Sequence, residues 1–107
     1  MSVHVRGEGD ESIDALVDAL RGFCAGHPAA EVVLYRRDPY SVRVRVIDPG
    51  FAGRSLADRF DSVWEVIEPL PEDLQSQVSI LLTLTPEEAE TMSIANYDFD
   101  HPIPLDR

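Results

Sequence analysis

Few side chains in this sequence could perform chemistry, and they are widely spaced. Cys24 is the single cysteine, and the three histidines, His4, His27 and His101, do not have the spacing of a metal site. No Gly-x-Ser-x-Gly segment or other nucleophile signature accompanies them. Cys24 lies on the apolar side of a predicted helix, where most free cysteines act as small buried hydrophobic groups. We therefore expect no catalytic residue, no bound metal and no cofactor.

Two arginines form the one basic patch that the sequence predicts. Residues 41–47 alternate valine with Arg43 and Arg45, which predicts a half-buried strand with valines inward and arginines outward. Arg36 or Arg37 would lie near the turn of the same hairpin. Two interpretations stay open. The arginines form a site for an anion or an acidic partner, or they solvate a sheet face and pair with neighbouring acids.

A glycine-containing loop follows this strand. Gly50-Phe51-Ala52-Gly53 matches the Gly-x-x-Gly pattern with which KH domains clamp an RNA backbone. In KH domains that clamp lies between two helices, whereas this loop lies between a strand and a helix. We therefore interpret Gly50 and Gly53 as turn residues.

Hydrophobic periodicity predicts the elements that position these residues. Asp10 and Ser55 are predicted N-caps of two amphipathic helices, and Thr85 is the predicted N-cap of a last short helix. The second helix carries a continuous apolar stripe: Leu56, Phe60, Val63, Trp64, Ile67 and Leu70. Strands are predicted at residues 31–36, 41–47 and 78–84. The last has Val78, Ile80, Leu82 and Leu84 on one buried face, and Leu81 makes it largely apolar on both faces, which is typical of a central or partly covered strand.

The order of these elements is α-β-β-α-α-β-α, which predicts an α+β fold with a three-stranded mixed sheet and helices on one face. Residues 10–92 form the predicted domain. Residues 1–9 are a predicted flexible lead-in, although Val3 and Val5 could add a short edge strand. Residues 93–107 form a tail for which disorder, packing across the sheet and docking by a partner all stay open.

The charge of the chain is strongly negative. The formal net charge is −11, and residues 55–107 hold twelve acids and two arginines, while the chain has no lysine. Such a field repels phosphate backbones, so we do not expect nucleic-acid binding. It could steer a basic partner instead. No apolar run is long enough for a membrane span and no signal peptide is visible, so we expect a cytoplasmic protein.

Two segments resemble the BolA family. Residues 44–59, with Phe51-Ala52-Gly53 between a strand and a helix, resemble the family's strand and its Phe-x-Gly-x-x-Leu-x-x-Arg-His segment. Residues 83–88 read Thr-Leu-Thr-Pro-Glu-Glu and resemble its Thr-x-Thr-Pro-Glu-Glu ending. The resemblance spans residues 11–90. It implies a single sheet covered on one face by helices, similar to a type II KH domain.

The departures from the family pattern concern its ligands. The family's histidine after the helix arginine is replaced by Phe60, which follows Arg59. The histidine before the last strand, which ligates an iron–sulfur cluster shared with a monothiol glutaredoxin in the family, is replaced by Ser76 or Gln77. Neither a hydroxyl nor an amide is a good ligand for a soft iron centre. The hairpin turn also lacks the family's second ligand.

These observations predict a non-catalytic adaptor or regulatory protein that acts through protein contacts. The expected contact surface is the Arg43/Arg45 sheet face or the groove beside the loop at residues 50–54. The candidate partner-binding residues are Arg43, Arg45, Phe51, Arg54 and Arg59. The resemblance implies two alternatives, a DNA-binding transcriptional regulator and residual cluster trafficking with a monothiol glutaredoxin. The expected partner is an unidentified protein, for which a glutaredoxin-like protein is one candidate. No membrane contact is expected, and the chain is expected as a monomer or weak dimer.

Overall fold

A computed structural model of the chain describes residues 2–91. Its strands and helices follow in the order β1 (Ser2–Arg6), α1 (Glu11–Gly26), β2 (Glu31–Asp38), β3 (Ser41–Ile47), a 3-10 turn (Pro49–Phe51), α2 (Leu56–Ile67), α3 (Glu72–Gln77), β4 (Val78–Leu84) and α4 (Pro86–Thr91). The strands form one sheet in the order β1-β2-β3-β4. The outer pairs are parallel and the central pair is antiparallel, so the fold is α+β with a mixed sheet, as predicted.

The sheet has four strands, whereas three are predicted from the sequence. Ser2–Arg6, within the predicted lead-in, pairs in parallel with β2 from Ser2↔Glu31 to Arg6↔Tyr35. β1 is an edge strand of the described sheet. Val3 packs against the core, whereas Val5 is exposed. The predicted tail at residues 93–107 lies outside the described residues.

The two longer helices lie on one face of the sheet and close the main core. α1 contributes five buried residues at helical spacing, Ile13, Leu16, Leu20, Phe23 and Cys24. They pack with the valines of β3, with Val32 and Leu34 of β2, and with Val63 and Ile67 of α2. Cys24 is buried, as its position on the apolar side of α1 predicts. None of the helices within residues 2–91 is long and apolar enough to cross a membrane.

The register of β4 differs from the predicted alternation. Val42 pairs with Val78, but the next residue, Arg43, pairs with Ile80, so the ladder contains a one-residue irregularity. Because a one-residue shift moves every following side chain to the other face, Val78 and Ile80 do not share a face. Val78 and Leu81 pack against the main core, and Leu82 packs on the opposite side of the sheet. The predicted single buried face of β4 is therefore wrong.

Candidate functional site

The five predicted partner-binding residues lie in two separate places. Arg43 and Arg45 lie on β3, on the sheet face that points away from α1 and α2. Phe51, Arg54 and Arg59 lie together where the 3-10 turn leads into α2. The structure therefore does not bring the predicted residues into one surface.

The sheet face of Arg43 and Arg45 is not an open arginine patch. Arg45 is 7% exposed, and its cross-strand neighbour Val33 is 6% exposed. Arg43 is half-buried, and its Nη1 donates to the Tyr35 hydroxyl at 3.2 Å. The arginines lie on the face away from the helices, as alternation predicts, but Arg45 is buried and Arg43 is half-buried, so the prediction of an open basic face is wrong.

Phe51 is a buried residue at the end of the 3-10 turn that leads toward α2. Its side chain is fully buried in the main core, with its ring 6.2 Å from that of Phe23. Asp48 shapes the same turn, since its carboxylate accepts from the Gly50 amide at 3.0 Å. A Cβ on Gly50 would lie 3.3 Å from that carboxylate, and Gly53 has a positive φ of 77°. Gly53 is therefore favoured by its backbone conformation, a side chain at Gly50 would crowd the Asp48 carboxylate, and both glycines are turn residues, as predicted.

Arg59 connects three elements from a buried position. Its guanidinium donates to the carbonyl of Arg54 at 3.1 Å and to that of Thr83 at 3.2 Å. It also donates to both carboxylate oxygens of Glu88, at 2.7 and 3.2 Å. Glu88 and Thr85 cap α4 reciprocally, since each accepts from the other's backbone amide. Arg59 is therefore a structural residue that ties α2 to β4 and to the start of α4.

An apolar groove lies between the start of α2 and β4. It has a volume of about 840 Å³, and its lining includes Leu56, Phe60, Leu81 and part of Arg54. Leu56 is 71% exposed and Phe60 is 41% exposed, so the first turns of the predicted apolar stripe do not face the core. Arg59 occupies the inward position instead. Phe60 is held by stacking on Trp64, with ring centroids 5.3 Å apart.

A polar cluster lies at the opposite end of the sheet, around Arg36, which the sequence analysis places near the turn end of the basic patch. Arg36 donates two hydrogen bonds to the Asp10 carboxylate, at 2.5 and 3.1 Å, and one to the Gln77 side chain at 2.9 Å. It also donates to the carbonyls of Asp38 and Pro39 in the hairpin turn. The cluster joins the start of α1, the hairpin and the end of α3. The partners of Arg36 lie 26 and 41 positions away in the sequence, so no short sequence pattern predicts these contacts.

Asp10 both caps α1 and pairs with Arg36, and substitutions can separate these two roles. Its Oδ1 caps α1 by accepting from the Ile13 amide, and the Arg36 side chain lowers the pKa of its carboxyl. Because the folded-state pKa lies below the ordinary value of 3.8, this stabilisation is present above that pH and is lost as pH falls through the folded-state pKa. We expect Asp10→Ala to lower the free energy of unfolding by about 1 kcal/mol or more, through the lost cap. Urea unfolding at pH 7 measures this loss.

Asp10→Asn is the matched control, because asparagine caps helices as well as aspartate does. It should lose less stability than Asp10→Ala at pH 7 and show a shallower loss of stability below about pH 4 than the wild type. Equal pH profiles for the wild type and Asp10→Asn would show that the Arg36 pair contributes nothing.

The comparisons with known proteins concern the fold. BolA1 from Arabidopsis thaliana matches this structure with a TM-score of 0.51, 19% sequence identity and coverage of 75% of this chain and 98% of its own. The fold is BolA-like. This confirms the fold that the two sequence segments imply. No family model matches the sequence, and the search of curated proteins gives no match.

In this BolA-like fold, the positions at which family ligands are expected serve other purposes. Gln77 accepts from Arg36, and its Nε2 donates to the Ser12 hydroxyl at 3.3 Å. Ser76 donates to the carbonyl of Asp73, and Phe60 lines the groove. Within residues 2–91 no three His, Cys, Asp or Glu side chains form a group that could hold a metal ion. These side chains do not fit an iron–sulfur cluster, because amide, hydroxyl and phenyl groups are poor ligands for iron.

Proposed function

We propose that this protein is a non-catalytic, cytoplasmic adaptor, and a divergent BolA family member, that binds a protein partner through the groove between α2 and β4. The observation that carries the proposal is the exposure of Leu56 and Phe60 at the start of an otherwise buried helix face. Large apolar side chains that line a concave surface are typical of protein-binding sites. Stacking on Trp64 holds the Phe60 ring in place, which reduces the entropy cost of binding.

The position of β4 is a second reason to propose partner binding at this groove. β4 is an edge strand of the described sheet, and its residues 81–84 run along the groove. An edge strand can accept an extended segment through backbone hydrogen bonds, while neighbouring pockets take alternate side chains.

The charge of the surrounding surface defines the partner further. Residues 55–91, which include α2, α3 and α4, hold nine acids and one arginine. Complementary charge steers association and selects among partners. The expected partner therefore presents an extended apolar segment with basic residues on its flanks.

The alternatives implied by the resemblance have less support. DNA binding needs exposed cations, but Arg45 and Arg59 are buried and the chain has no lysine. Cluster trafficking needs ligands, but Ser76 or Gln77 stands at one of the family's histidine positions and Phe60 stands at the other. A monothiol glutaredoxin remains a defined protein to test as a partner of the groove.

Site-specific photo-crosslinking tests the proposal. A crosslinker at Phe60 should capture a discrete protein in cells, and the added substitution Leu56→Glu should reduce that product at least tenfold, as about 1.4 kcal/mol of lost binding predicts. Purified monothiol glutaredoxin, titrated in parallel, gives a defined candidate. Tyr40 is the matched control, because it is an exposed aromatic residue, 83% exposed, in the hairpin turn. Crosslinking that is equal at both positions, or unaffected by Leu56→Glu, would refute the groove as the binding site.

A further inference from the structure

The hydrogen bonds of β4 show which of its backbone groups point to the outer edge of the sheet. The Leu84 carbonyl accepts from the Asp48 amide at 2.9 Å, on the side of β3. The Thr83 carbonyl accepts from Arg59 of α2 at 3.2 Å, on the outer side. The amide and the carbonyl of a strand residue point to the same side, and that side alternates along the strand. Both backbone groups of Leu81 therefore point to the outer edge.

The outer edge of β4 is restricted on both sides of Leu81. Arg59 occupies the Thr83 carbonyl and also binds Glu88 at the start of α4. Toward the other end, Ser79 is left out of the ladder with β3. In the regular part of β4, Leu81 is the one residue whose outward amide and carbonyl both have no hydrogen bond within residues 2–91. An added strand can therefore pair fully at this residue.

The side chain of Leu81 lines the groove between α2 and β4. It packs against the main core and lies in the same lining as Leu56 and Phe60. Residues that pair across two strands point to the same face of the sheet. The residue of an added strand that pairs with Leu81 would therefore enter the groove beside these two exposed side chains. Its two neighbours would point to the opposite face, where Ile80, 40% exposed, pairs with Arg43.

We propose that Leu81 anchors an extended peptide segment of the partner as a short added strand, and that Arg59 fixes where the pairing ends. The Leu81 amide donates to the segment and the Leu81 carbonyl accepts from it, over residues 80–82 of β4. One large apolar side chain of the segment fills the groove, and its basic flanks face the nine acids of residues 55–91. A second copy of this chain would bring the same acids and is a poorer occupant. The proposal rests on the function proposed for the groove and adds the register and length of the contact.

Amide hydrogen exchange in the free full-length protein is the first test. The Leu81 amide should exchange at least tenfold faster than the Leu82 amide, the matched control, whose backbone groups point to β3. A Leu81 amide as protected as that of Leu82 would overturn the proposal, because the edge would already be paired. Protection that rises with protein concentration would overturn it as well, since a second copy would then be the occupant.

A library of nine-residue peptides, with two arginines at each end and five randomised positions, supplies the binding probe. Selected peptides should bind Leu56→Glu at least tenfold more weakly, and they should slow exchange of the Leu81 amide at least tenfold. N-methylation of the one peptide amide that donates to Leu81 should weaken binding about tenfold, through one lost hydrogen bond. N-methylation of the two adjacent amides should have a much smaller effect, because they point away from β4.

The outcomes separate this proposal from the function proposed for the groove. Peptides that depend on Leu56 but show no alternation in the N-methyl scan and no protection of Leu81 would overturn strand addition, and the groove would remain the binding site. A library that gives no binder would overturn the proposal too. Crosslinking at Phe60 in cells decides the function of the groove independently of both results.

Discussion

Phe51→Ala should lower the free energy of unfolding by about 3–5 kcal/mol, the usual cost of removing a buried phenylalanine side chain. Phe51 is fully buried, lies near the Phe23 ring and has the Arg59 guanidinium 5.8 Å from its ring centre. Truncation leaves a cavity under the loop that leads into α2, and the short turn can collapse only partly to fill it. Domains of this size are usually stable by about 5–15 kcal/mol, so the variant should fold but unfold at a much lower urea concentration.

Phe60→Ala is the matched control for this prediction. It removes the same ring from the same region of the chain, but Phe60 is 41% exposed, so the loss should stay below about 1 kcal/mol. Phe60→Ala should instead weaken partner binding, which Phe51→Ala affects only through stability. Similar unfolding midpoints for both variants would contradict the inward position of Phe51. A conservative Phe51→Leu variant provides the measurement if Phe51→Ala does not fold.

The elements with strong local signals could be predicted from the sequence. α1 follows from its helical spacing and from its N-cap, Asp10, and the start of α2 follows from Ser55, which accepts from the Asp58 amide. The 0% exposure of Val42, Val44 and Val46 follows from strict alternation. These signals arise between residues that are only a few positions apart, so they can be recognised in a single sequence.

The features that sequence reasoning missed depend on distant contacts. β1 is indicated by the sequence only as an optional short edge strand at Val3 and Val5, because its partner is 29 positions away, as Val3↔Val32 illustrates. The irregularity in β4 changes which side chains share a face, and no composition pattern marks it. Arg45 is 7% exposed, although alternation places it on the face that is predicted to be open. In α2, periodicity identifies an apolar stripe but does not indicate that Leu56 lies beyond the edge of the core.

Arg59→Met should lower the free energy of unfolding by about 2–4 kcal/mol, because it removes the donor of four hydrogen bonds from a buried position. Methionine keeps the bulk beside Phe51, so packing changes little. The start of α4 should become less protected from hydrogen exchange, since Glu88 would cap Thr85 without the support of Arg59. Urea unfolding and amide exchange at residues 86–91 provide the two measurements.

Glu88 provides a readout that separates this ion pair from a general loss of stability. The Arg59 side chain lowers the pKa of the Glu88 carboxyl below its ordinary value of 4.5. In Arg59→Met that pKa should rise toward 4.5, because the largest cause of the shift is gone, whereas the Thr85 amide still lowers it. Arg54→Met is the control, since Arg54 is only half-buried and donates to the Asp58 carbonyl near the surface. Arg54→Met should lower the free energy of unfolding by less than about 1 kcal/mol and leave the Glu88 pKa unchanged.

If Arg59→Met instead kept full stability and lost only partner binding, Arg59 would be a contact residue, and the link between α2 and α4 would have no energetic role.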